Sequence, residues 1–158
     1  MKKFIFLSCI LICSFLKPAH ADWKQVRWGM SVDQVQSKVS DAHSVSTDPA
    51  VQYQYNVVGS ERVLLAEDVY HVADMVYSVR YIFGTTNQLK AIVMRGDEYN
   101  YIRTFDLLSG KYGKPASYSG NGDDMSYAIW NVPEKHLMIK LNELRGTSIR
   151  YEPITDAL

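Results

Sequence analysis

Both cysteines of the chain, Cys9 and Cys13, lie within its first 21 residues, and no thiol follows them. A fold built from the later residues has no disulfide and no cysteine-ligated metal to hold it, so it depends on a hydrophobic core. The 137 remaining residues suffice for one domain, 22–158. Thiol catalysis is excluded in the same step.

Lys2 and Lys3 precede an apolar run from Phe4 to Leu16, which is followed by a polar break and Ala19-His20-Ala21. This is the order of a secretory signal peptide, residues 1–21, with cleavage expected before Asp22. The run of 13 residues is shorter than the roughly 20 that a membrane-spanning helix needs. No stable membrane span is therefore expected after cleavage, and the expected location is periplasmic or secreted. Removing Lys2, Lys3 and Lys17 leaves 14 cations against 17 anions, a balance of −3. Neither that balance nor the compartment suits nucleic acid.

Ser31 and Gln34 have the spacing of a reciprocal capping box, and Val32, Val35, Val39 and Ala42 follow at helical intervals. After Asp48-Pro49 the period becomes two. Val51, Tyr53, Tyr55 and Val57 alternate with polar residues and predict a strand. Further strands are expected over Val63 to Tyr70, Tyr77 to Phe83 and Leu89 to Arg95, the last two joined by a turn at Gly84–Asn87. A second helix is expected from about residue 98 to 112, with an apolar stripe of Tyr101, Ile102, Phe105, Leu108 and Tyr112. Gly113 and Pro115 stop it. Four short alternating runs follow, near 116–119, 125–131, 136–142 and 147–152. The expected fold class is α+β, built of tandem helix-plus-four-stranded antiparallel units, 22–96 and 97–158, with the helices packed on one sheet face.

Gly29-Met30-Ser31 followed by Gln34-Val35 resembles the helix-opening motif of the small lipoproteins of the outer-membrane β-barrel assembly machine. Phe83, Asn87, Leu89 and Ile92 resemble the terminal hairpin of the same family. The tandem order is similar to that of the β-lactamase inhibitor proteins. The resemblance implies a non-catalytic protein that binds other proteins. The lipid-accepting cysteine of the assembly lipoproteins is missing, so anchoring by that route is not expected.

Signals for catalysis are weak. No G-x-S-x-G elbow occurs, and Ser109 to Pro115 has the wrong spacing for a phosphate loop, with proline where a magnesium-binding hydroxyl belongs. His43, His71 and His136 show no paired metal-ligand spacing, and Asp123-Asp124 lacks the alternate oxygen ligands of a calcium loop. No catalytic residue, metal site or cofactor is expected. The alternative is a small hydrolase acting on an envelope polymer, through carboxylates that would converge only in the fold.

Strand phase supplies a binding face instead. If Tyr77, Val79, Tyr81 and Phe83 face the core with Leu89, Ala91, Val93, Leu137, Ile139, Leu141, Ile149 and Tyr151, the alternate residues face away. The candidate binding residues are then Arg80, Ile82, Met94, Trp130, Met138, Lys140 and Arg150, with Lys90 and Ile92 beside them. Tyr99 and Leu107, off the second helix's stripe, are secondary candidates. Trp, Met and Arg are enriched at protein interfaces, and cations on a net acidic chain favour an acidic partner. The expected partner is a protein or an anionic envelope component. N-terminal sequencing of the exported protein is expected to begin at Asp22, and a thiol reagent should find nothing to label.

Overall fold

The structure, a computed structural model, describes residues 23–57, 59–120 and 126–155. The expected signal peptide and Asp123-Asp124 lie outside the described residues. Ser31 caps α1 (Val32–Gln36) as its spacing requires: its Oγ accepts the Gln34 N–H, and Gln34 Oε1 accepts the Ser31 N–H at 2.9 Å. The helix is short, and Val39 and Ala42 reach the core from the turns beyond it.

The strand expected over 51–57 is not formed. Pro49–Tyr53 make a short helix, α2. Asp48 accepts the Ala50 N–H, and Pro49 occupies the first turn, where its missing N–H costs nothing. Gln52 fixes the helix in place. Its buried side-chain amide donates to the Val63 carbonyl at 2.8 Å and accepts from the Val63 N–H at 2.9 Å. It thereby satisfies backbone groups that a neighbouring strand would otherwise pair.

Eight strands form one open antiparallel sheet. They are β1 (His43–Ser44), β2 (Arg62–Val72), β3 (Met75–Phe83), β4 (Leu89–Gly96), β5 (Ser117–Ser119), β6 (Tyr127–Val132), β7 (Leu137–Glu143) and β8 (Thr147–Pro153). Their order is β1-β2-β3-β4-β8-β7-β6-β5. Between β4 and β5 runs α3 (Tyr101–Tyr112), which gives an α+β fold. Among the described residues no helix is long and apolar enough to cross a membrane.

α3 lies on one side of the sheet and buries Tyr101, Thr104 and Leu108. Ile102, expected on the stripe, is exposed, and the inward position falls to Thr104. The larger core on this side includes Val35 and Val39 together with Tyr81, Phe83, Ile139 and Leu141. A smaller apolar cluster, Val63, Ile82, Ala91 and Val93, lies on the opposite side and is covered by Val45, Tyr55 and Val57. The helices therefore do not all share one face, because the segment 45–57 that contains α2 packs against the other.

Two strand phases correct the expectation. Phe83 pairs with Leu89 while Ile82 pairs with Ala91, so Lys90 has no opposite residue. A one-residue bulge inverts the alternation beyond it. Ile92 and Met94 consequently face the α3 side, and Ala91 and Val93 face away. Trp130 stands opposite Ile139, which is a core residue, so it too faces α3. It is 1% exposed. Its ring lies 5.6 Å from that of Phe105, and its indole N–H donates to the Gly113 carbonyl at 2.9 Å. Gly96 has a packing reason to lack a side chain, since a Cβ there would meet the Tyr77 ring at 2.7 Å.

Trp130→Ala should therefore cost about 3–5 kcal/mol in urea unfolding, the range for truncating a buried large aromatic. Met138→Ala, at a half-buried position on the opposite side, should cost about 1 kcal/mol.

Candidate functional site

The residues assigned to one binding face divide into two groups. Met94 and Trp130 are buried on the α3 side. Ile82 faces the other side but is covered by the 45–57 segment. Arg80, Met138, Lys140 and Arg150 share that outer side, as the pairings Arg80 with Val93, Val93 with Arg150 and Arg150 with Lys140 require. Of the neighbours, Lys90 is exposed at the bulge and Ile92 is buried on the α3 side. Tyr99 is 82% exposed.

Two of these cations are neutralised within the molecule. Arg150 donates to Glu61 at 2.7 Å and to Glu152 at 2.5 Å, and Lys140 meets Glu152 at 2.5 Å. Burial alone would lower the Arg150 pKa, but its two carboxylates outweigh that and raise it. The carboxylates gathered here are thus counterions to structural cations.

Arg80 is different. Its guanidinium stacks on the Tyr55 ring at 4.8 Å, and burial together with the charge of Arg95 lowers its pKa. Arg95 was missed in the sequence because the Lys90 bulge reverses the phase of β4. Ser78 pairs with Arg95, and Arg95 with Ser148, so Arg95 is the diagonal neighbour of Arg80 on the outer side. Among the described residues no carboxylate forms an ion pair with either arginine. The Arg95 Nε is buried without a hydrogen-bond partner. Two like charges with one orphaned donor form an electropositive spot that an anion would relieve.

On the α3 side a cavity of about 410 Å³ opens between the N-terminal segment, the sheet and α3. Its wall begins at Trp23, whose indole N–H donates to the Tyr81 hydroxyl at 3.0 Å. Tyr81 in turn donates to Glu67 at 2.5 Å, and Glu67, 2% exposed, binds Lys24 at 2.8 Å. Burial, then the hydrogen bond to Glu67, push the Tyr81 pKa far up, so the phenol stays protonated. This chain fixes the first described residues of the protein to the sheet.

The histidines do not converge. His43 lies 3.9 Å from Asp68 at an exposed position, and His71 and His136 are exposed elsewhere. Among the described residues no group of three or more His, Cys, Asp or Glu could hold a metal ion. No protein-family model matches the chain, and no curated protein or solved structure matches it either.

Burial raises the Glu152 pKa, but hydrogen bonds from Lys140 and Arg150 reverse this and hold the carboxyl below the ordinary glutamate range. A carboxyl depressed on folding stabilises fully above its unfolded pKa, about 4.3, and that stabilisation is lost as pH falls through the folded value. The stability difference between wild type and Glu152→Gln, measured by urea titration, should be largest near neutral pH and should shrink progressively below about pH 4.

Proposed function

We propose that the protein is an exported, non-catalytic binding protein of the bacterial envelope or secretome. It engages an acidic segment of a partner protein on the outer side of its sheet. The observation that carries this reading is the Arg80–Arg95 pair, cationic and without a carboxylate, beside the Tyr55 ring. An acidic side chain there would relieve the repulsion between the guanidiniums. Beyond Arg150 the same side carries Tyr127, exposed, and Ile129 and Met138, half-buried, which suit a protein surface better than a bare ion. The order of basic, apolar and small residues over 1–21 supports export. In the same reading, 22–96 and 97–158 are two copies of one helix-plus-four-strand unit, meeting where β4 pairs with β8, with α2 as an insertion in the first.

The test is fluorescence anisotropy of the exported protein with labelled oligoglutamate and oligolysine peptides. Oligoglutamate should bind with a marked salt dependence and oligolysine should not. Arg80→Ala/Arg95→Ala should weaken the acidic peptide by about tenfold or more. Its urea unfolding should stay cooperative, because the stacking lost between Arg80 and Tyr55 is offset by the repulsion removed between the guanidiniums. Equal affinity in the double variant overturns the assignment. Binding of an anionic polysaccharide in place of the peptide replaces the protein partner with an envelope polymer.

A further inference from the structure

The polar and charged groups around the cavity beneath Trp23 are engaged with one another. Lys24 pairs with the buried Glu67 at 2.8 Å, and Lys111 lies over the Tyr112 ring at 5.0 Å. Among the described residues no carboxylate lines the cavity. At its depth the Tyr77 hydroxyl bonds Thr104 Oγ1 at 2.6 Å, and Thr104 donates to the Asn100 carbonyl at 2.7 Å. A charged group of either sign entering here would give up its water without meeting an available countercharge. The lining therefore selects against ions.

What the cavity offers is apolar and aromatic surface. Met75, Met94, Leu108 and Ile149 form its floor. Trp23 and Tyr70 stand in its wall with ring centroids 4.7 Å apart and planes tilted by 50°. Rings so arranged take a further ring by offset or edge-to-face contact, and methionine thioethers are favourable neighbours of an aromatic ring. The wall is in position before anything enters, because Trp23 is held by its bond to Tyr81 and Tyr70 is held between Trp23 and the Lys24 ammonium, 4.8 Å from the ring. The volume, about 410 Å³, lies toward the small end of the roughly 300–1,000 Å³ typical of small-molecule sites, so it suits a compact ligand.

We propose that this cavity binds an uncharged, compact aromatic molecule. Its ring system lies on Met75, Met94 and Leu108 and packs against Trp23 and Tyr70. This site is on the opposite side of the sheet from Arg80 and Arg95 and is independent of the partner assigned to them.

The experiment measures equilibrium dialysis of the purified protein against naphthalenemethanol, its anionic and cationic counterparts naphthoate and naphthylmethylammonium, and its saturated counterpart decahydronaphthalenemethanol. Naphthalenemethanol should bind saturably, and both ions should bind at least about tenfold more weakly. The saturated alcohol should bind about threefold or more weakly, having no ring to meet Trp23, Tyr70 and the methionines. Val72→Trp, which puts a ring into the cavity from the end of β2, should abolish binding. Leu107→Asp, a change at an exposed helix position that lines the cavity, should weaken naphthalenemethanol by about fivefold with urea unfolding still cooperative. Arg80→Ala/Arg95→Ala should leave this binding unchanged. Absence of saturable naphthalenemethanol binding, an ion or the saturated alcohol binding as tightly, or full affinity in both Val72→Trp and Leu107→Asp would overturn the proposal.

Discussion

The pairing of β4 with β8 is the constraint on which the rest of the molecule depends. It runs from Ile92 opposite Tyr151 to Gly96 opposite Thr147 and joins two sets of hairpins into one sheet. On the outer side it brings Arg150 next to Val93 and so into the row that contains Arg80. On the other side it sets Met94 against Ile149, and with Tyr151 these form part of the cavity beneath α3. Without this ladder each half would have a bare edge strand in place of a shared centre.

Period-two alternation located most of the sheet because β3, β7 and β8 follow it without interruption, with Tyr77, Val79 and Tyr81 inward and Ile139, Leu141 and Ile149 likewise. It failed where local geometry broke the count. Lys90 has no opposite residue, and a single unopposed residue exchanges the two sides of everything after it. Uninterrupted alternation puts Met94 outward and Arg95 inward, the reverse of their positions in the sheet. The side taken by Trp130 is obscured for another reason: Tyr127 and Ile129 are nearly as apolar as Ala128 and Trp130, so composition alone does not distinguish the sides of β6. The segment after Asp48-Pro49 alternates like a strand, yet the cap and the buried Gln52 amide make it helical. A capping Asp followed by Pro was the available signal there.

Electrostatics separates residues that a sequence lists as equivalent. Arg80 on β3 and Arg150 on β8 project to the same side with β4 between them, but Arg150 meets two carboxylates and Arg80 meets an aromatic ring and another guanidinium. Glu61, which binds Arg150, lies 89 residues away in the chain. Such a partner is visible only when the turn before β2 is placed in space. The Trp23–Tyr81–Glu67–Lys24 chain is similar, since it connects the beginning of the described residues to β2 and β3.

The glutamine plug on β2 has a consequence for how other proteins can approach. Outermost strands are where foreign chains join a sheet by backbone zippering, and here β1 spans two residues while Gln52 occupies the amide and carbonyl of Val63. A visiting strand would have to evict that side chain before it could add on. The margin beside β2 is therefore closed to templated growth.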